Sequence, residues 1–161
     1  MNAPETNLPE TNLKDLGLTL PEAAAPVANY VPYVITGNMV FVSGQISKIG
    51  DNFIGGRLGE DLTVERGQEA AKLSALNLIA QIKAACGGDL SRIERIVKVG
   101  GFVCAGPVAT ELDIPKIING CSDLLVEVFG DAGRHARFAV ASPSLPANCA
   151  VEIDAIVQIK P

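Results

Sequence analysis

Ala136-Arg137-Phe138-Ala139-Val140-Ala141-Ser142-Pro143-Ser144-Leu145-Pro146-Ala147-Asn148-Cys149-Ala150-Val151-Glu152-Ile153-Asp154-Ala155-Ile156-Val157 reads as two apolar strands broken by a proline-bounded connection. Residues 137 to 142 and 150 to 158 are rich in Val, Ile and Ala, and the Pro143 to Pro146 segment interrupts them as a connection does. Side chains alternate across a strand, so Val151, Ile153, Ala155 and Val157 share one face while Glu152, Asp154 and Ile156 share the other. The first set reads as a helix-covered core. In the preceding strand Arg137, Ala139 and Ala141 share a side, and the small residues leave room before the guanidinium. The two strands are expected to be neighbours, which would set a cation beside a carboxylate in a pocket wall. Alternation alone equally accommodates an ion pair or a solvated strand face, because structural ion pairs occupy such positions as readily as active sites do.

Working outward, strands are expected near 31–35 and 38–45, joined by a hairpin turn around Thr36-Gly37-Asn38. Gly50-Asp51-Asn52 marks another turn before a short strand near Phe53 and Ile54. Thr63 is a good N-cap for a helix running to about Cys86, with Ala71, Ala75, Leu78, Ile79 and Ile82 at helical spacing and Gly87-Gly88 as its stop. Ile93 to Cys104 reads as a strand interrupted at Gly100-Gly101, where a bulge or a close backbone approach is expected. Asp113 and Pro115 open a second helix that reaches about Phe129 and stops at Gly130. That order predicts an α+β two-layer arrangement, a mixed β-sheet with two α-helices on one face and the other face bare.

Residues 1 to 25 form an N-terminal extension to a domain at 26–161. The extension holds a local echo, Pro4 to Leu8 against Pro9 to Leu13, and a short docked helix is expected at Leu13 to Leu20.

The 161 residues suit one domain. Hydrophobic residues make up 48% of the chain but aromatics only 4%, with no Trp, so the core must be built of small aliphatic side chains. Each buries little area, which favours hiding more surface between subunits. The net charge of −5 disfavours a cationic surface for nucleic acid. Apolar runs fall short of the ~20 residues of a membrane helix, and Met1 to Leu20 lacks a basic segment followed by an apolar one; the chain reads as cytoplasmic, with no membrane partner. Cys86, Cys104, Cys121 and Cys149 show no metal-ligand spacing, and with His135 as the sole histidine no metal site is expected. The thiols are expected to be reduced and mostly buried. His135 falls in the loop before the strand, as a rim residue rather than a base.

The pattern Arg137 to Val140, Leu145-Pro146 and Val151 to Asp154 resembles the C-terminal signature of the RidA (YjgF/YER057c/UK114) family. Tyr30-Val31 followed by Gly37-Asn38 and Ser43-Gly44-Gln45-Ile46 resembles its N-terminal block, and Ile118-Asn119 its Val-Asn on the second helix. The resemblance covers about residues 26 to 158 in the family's order.

It implies a chorismate-mutase-like fold, a homotrimer with sites between subunits, and hydrolysis of reactive enamines and imines such as 2-aminoacrylate and 2-iminopropanoate to 2-oxo acids and ammonia, with no cofactor. Arg137 would hold the small substrate's carboxylate and Glu152 would activate water, both as catalytic residues. Tyr30, Ser43, Gly44, Asn119 and Ala139 would bind substrate. From the residues alone, Tyr30 equally suits strand packing, Ser43-Gly44 a bulge and Asn119 a helix–strand tether. The family's best-known deaminases carry Cys two residues after the Arg, where this chain has Ala139, so only a backbone contact survives there. The long N-terminus and Phe138 point to a longer subgroup of the family. A binding or sensing protein for small carboxylates is the alternative. An endoribonuclease or translation inhibitor fits less well, because it would require a basic groove and stacking aromatics.

Overall fold

The computed structural model describes residues 8–25, 28–109 and 113–161. In chain order the elements are α1 (Leu8–Asp15), β1 (Tyr33–Thr36), β2 (Met39–Ile46), β3 (Lys48–Ile49), β4 (Asn52–Phe53), α2 (Val64–Ala85), β5 (Ile93–Cys104), α3 (Asp113–Phe129), β6 (Ala136–Ser142) and β7 (Val151–Ile159). Five strands make one mixed sheet in the order β1-β2-β7-β5-β6, while β3 and β4 form a small hairpin of their own. Only the β5–β6 pair is parallel in the large sheet. This is the expected α+β two-layer fold.

The helices form where their termini are satisfied and their apolar stripes are covered. Thr63 caps α2 by accepting from the Arg66 backbone N–H at 3.2 Å, and Gly87 and Gly88, both with positive φ, end it. Leu78, Ile79 and Ile82 of α2 are fully buried, each worth about 1.5–3 kcal/mol of apolar burial. α3 lies close against α2: a Cβ at Gly120 would come 2.3 Å from the Gln68 backbone oxygen. Val151, Ile153, Ala155 and Val157 of β7 are buried beneath this layer, as alternation predicts.

β6 and β7 are not neighbours; β5 lies between them. The cause is α3, which carries the chain across the sheet as parallel pairing requires. It sets β6 beside β5 at the sheet edge, and β7 then returns on β5's other side. β5 also runs unbroken through Gly100-Gly101, with its register shifts earlier, between Ile93 and Arg95 and between Ile96 and Lys98. The two glycines serve close approach instead of a bulge. A Cβ at Gly101 would sit 2.7 Å from Ile118 of α3, and one at Gly100 2.2 Å from Asp154 across the sheet.

The docked helix expected in the N-terminal extension forms, at shifted bounds. α1 starts at Leu8, ahead of the predicted Leu13 to Leu20, and the chain turns at Gly17 with φ +67°. It packs on the domain through buried Leu13, an Asn12 Nδ2 donation to the Val128 carbonyl at 2.8 Å and a Lys83–Glu10 ion pair at 2.9 Å. Most of the first copy of the Pro-Glu-Thr-Asn-Leu echo lies outside the described residues. The face of the sheet away from the helices carries Val34, Phe41, Phe102 and Val140, all exposed. Phe138 meets Phe102 edge-on on that face at 5.5 Å between ring centroids, with the Lys98 ammonium over its ring.

Candidate functional site

Two separate clusters hold the residues singled out by sequence. The first surrounds Glu152. The β2–β7 register shifts between Val42 and Gln45, so Ser43 and Gly44 form a bulge opposite β7. The bulge is tied to the segment before β1: the Ser43 N–H donates to the Pro32 carbonyl at 2.9 Å and the Ser43 hydroxyl to the Val31 carbonyl at 2.7 Å. Tyr30, in a bend rather than a strand, is thereby brought alongside. Gly44 lets the carboxylate in, since a Cβ there would lie 2.3 Å from Glu152 Oε1. Tyr30, Ser43, Gly44 and Glu152 line one cavity of about 510 Å³. Burial, followed by the charge of Asp154, raises the Glu152 pKa above the usual carboxylate range.

Two further segments line this cavity: Ala24 and Ala25 carry no signal in the sequence, whereas Pro146 belongs to the Leu145-Pro146 pair of the matched pattern. Ala24 and Ala25 of the N-terminal extension form part of its wall, and the buried Gln81 holds them by donating to the Ala24 carbonyl at 2.8 Å. Pro146 and Ala147 of the connection before β7 form another part, with Ala147 in the left-handed region at φ 54°.

The second cluster surrounds Arg137, on the helix side of edge strand β6. Its Nη1 donates to Asn119 Oδ1 at 2.9 Å and to Ser122 Oγ at 3.1 Å, both on α3. Those two bonds use both hydrogens of Nη1. Among the described residues no hydrogen bond engages Nε or Nη2, so that edge of the guanidinium presents two parallel donors, the geometry that matches a carboxylate. Arg137 also lines a shallow cavity of about 270 Å³ with Ser122, Val126, Arg134 and His135. Ala139 shares the Arg137 side of β6, packs against the core and lines neither cavity.

The clusters lie on opposite sides of the sheet. Val99 pairs with Arg137 and Ala155, facing the helices, while Phe102 pairs with Val140 and Glu152, facing away. Asn119 therefore joins Arg137, and Tyr30, Ser43 and Gly44 join Glu152, with no contact between the two groups within one chain.

His135 is more than a rim residue. Its Nε2 is 3.0 Å from Ser122 Oγ and its Nδ1 2.6 Å from the Gly133 carbonyl, so it extends the Arg137 network. Burial, with a smaller contribution from Arg137 and against the Gly133 hydrogen bond, holds its pKa below the ordinary histidine value. All four cysteines are buried and free, as their sequence context predicts.

The two-layer topology and its bare sheet face define a chorismate-mutase-like α+β domain. The chain belongs to the YjgF family: the model described as "YjgF/chorismate_mutase-like, putative endoribonuclease" matches residues 10–157. Protein TCP17 of Trypanosoma cruzi is 48% identical over 152 residues, 91% of either chain. Atu1372 of Agrobacterium tumefaciens, a protein of unknown function, is 48% identical with a TM-score of 0.88, covering 96% of this chain and 94% of that one. Escherichia coli TdcF, solved with bound serine, is 27% identical with a TM-score of 0.58, covering 99% of this chain and all of that one. No helix among the described residues is long and apolar enough to cross a membrane.

Proposed function

We propose that the protein is an imine deaminase that hydrolyses 2-aminoacrylate, through its tautomer 2-iminopropanoate, to pyruvate and ammonia. The observation that carries this reading is the free Nε–Nη2 edge of Arg137, held by Asn119 and Ser122 with nothing else occupying it among the described residues. Such an edge takes a planar carboxylate with two parallel hydrogen bonds. The serine bound by TdcF carries an α-carboxylate of the required kind.

The site forms between copies of the chain, in a homotrimer, with the Arg137 cluster of one copy set against the Glu152 cluster of the next. The apolar bare face, with Phe41, Phe102 and Val140 exposed, supplies the driving force for association. Water attacks the imine carbon while Glu152 accepts its proton. Glu152 passes that proton to nitrogen as the C–N double bond becomes single, giving a carbinolamine; it then takes the carbinolamine hydroxyl proton and delivers it to the same nitrogen, so that ammonia leaves as the C=O bond forms. The raised pKa of Glu152 suits a carboxylate that must take up and release a proton. Since the imine carbon is already electrophilic, positioning provides most of the acceleration.

The test is release of pyruvate or ammonia from freshly generated 2-iminopropanoate by the wild-type protein and by assembled Arg137→Ala, against the spontaneous background. Acceleration that vanishes in the variant supports the deaminase. No acceleration by wild type rejects it for this substrate, and saturable pyruvate binding without turnover would then favour a carboxylate sensor.

A further inference from the structure

We propose that Ser122 and His135 are positioning residues for Arg137, a directed hydrogen-bond chain that turns the guanidinium so that its free edge faces the bound carboxylate. The inference rests on the reading of Arg137 as the carboxylate holder. An arginine on an exposed edge strand samples many rotamers, and a ligand must otherwise order it at the expense of affinity.

The direction of every bond in the chain follows from the partners. The Gly133 carbonyl only accepts, so His135 Nδ1, 2.6 Å away, carries the proton. In the neutral imidazole Nε2 is then a bare acceptor, and the Ser122 hydroxyl, 3.0 Å away, donates to it. The Ser122 oxygen is left to accept from Arg137 Nη1 at 3.1 Å, beside the Asn119 contact at 2.9 Å. Asn119 and Ser122 are three residues apart on α3 and so share one helical face. Each donor meets an acceptor, and each bond polarises the next.

The chain holds only while His135 is neutral. A proton on Nε2 would deprive the Ser122 hydroxyl of its acceptor and place an imidazolium in line with a guanidinium. The surroundings oppose that state. His135 is half-buried, Arg137 and Arg134 line the same cavity, Asp131 is paired with Arg134 on an exposed turn, and α3 contributes the uncharged Ser122 and Val126. The lowered pKa of His135 agrees with this.

His135 is the sole histidine, so nitrogen NMR of the labelled imidazole reads its tautomer directly. At pH 7.5 the expected result is a neutral ring protonated on Nδ1, with Nε2 resonances that move when pyruvate is added to the wild-type protein. Ser122→Ala, folded and assembled, is expected to bind pyruvate about tenfold more weakly, to raise KM for 2-iminopropanoate with a smaller change in kcat, and to uncouple the ring from pyruvate; Ser122→Thr restores all three. A ring protonated on Nε2, or Ser122→Ala that binds pyruvate like wild type, overturns the positioning role while leaving the deaminase reading intact. Failure of wild type to bind pyruvate rejects Arg137 as a carboxylate holder, and the positioning role falls with it.

Discussion

Arg137 and Glu152 project from opposite faces of one five-stranded sheet, with β5 between their strands. Arg137 reaches toward α3 and Glu152 toward the side that no helix covers. A small molecule cannot bridge the two within a single chain.

Arg137→Lys should fail where a simple charge requirement would let it succeed. Lysine keeps the positive charge but offers no planar pair of donors and cannot satisfy Asn119 and Ser122 together while facing a ligand. Loss of a charge-assisted hydrogen bond is worth about 1.5–3 kcal/mol, so kcat/KM for 2-iminopropanoate should fall by about 10²-fold. Arg137 is exposed, and the thermal midpoint should stay near that of wild type.

Glu152→Gln separates function from stability. Burial raises the Glu152 pKa in the fold above its unfolded value, so the folded state favours the protonated form. The ionised side chain therefore detracts from stability above the folded pKa, and the penalty fades as pH falls through the folded pKa toward the unfolded one. Glutamine should be as stable as wild type at acidic pH and more stable at neutral pH by denaturant titration. Its deaminase rate should drop by about 10²-fold or more. The wild-type rate should itself decline on the acid side, with the midpoint displaced above the ordinary Glu value of about 4.3.

Two glycines should respond differently to alanine. At Gly44 the added methyl would meet the Glu152 carboxylate at 2.3 Å, a side chain that can swing aside, so activity should be lost with modest destabilisation. At Gly120 it would meet the Gln68 backbone oxygen at 2.3 Å, and α2 and α3 would have to separate. That variant should lose roughly 2 kcal/mol or more, as overpacked positions do, measured by urea unfolding.

The four thiols should be inert in the native protein. All four are buried, and burial pushes Cys121 up to about 12 and Cys149 to about 11, so those two carry almost no thiolate at pH 8. Iodoacetamide should label none of the cysteines within the time that labels all four in denaturant, as read by intact mass.

What the sequence made legible was local. The stripe Ala71, Ala75, Leu78, Ile79 and Ile82, with its Thr63 cap, specifies α2, and alternation specifies the buried face of β7. Lateral order was not legible, because alternation records the faces of a strand and not its neighbour; β5 between β6 and β7 comes from the crossover through α3. Gly100-Gly101 read as a break because sequence alone cannot distinguish a kinked backbone from a flat one approached by Ile118. In the site, Arg137, Glu152 and their matched neighbours were legible as types in a pattern. Ser122 was not, since one serine on an amphipathic helix has no signature until the arginine it holds is in place.

Complementation between two inactive variants tests the separation of Arg137 from Glu152 most directly. Arg137→Ala retains an intact Glu152 cluster and Glu152→Gln an intact Arg137 cluster. If each site draws one cluster from each of two adjacent copies, an equal mixture unfolded together and refolded contains some sites with both native residues. In a closed ring with random assortment, the copy supplying the arginine is the right variant half the time, and so independently is the copy supplying the glutamate. About a quarter of the sites should then be native, and the mixture should recover about a quarter of wild-type activity although each variant alone is inactive. A site contained within one chain can never be repaired in this way, because each chain carries one defect. Recovered activity therefore requires that neighbouring copies share the site, and no recovery from a mixture shown by native mass spectrometry to be co-assembled would place both residues' roles within one chain.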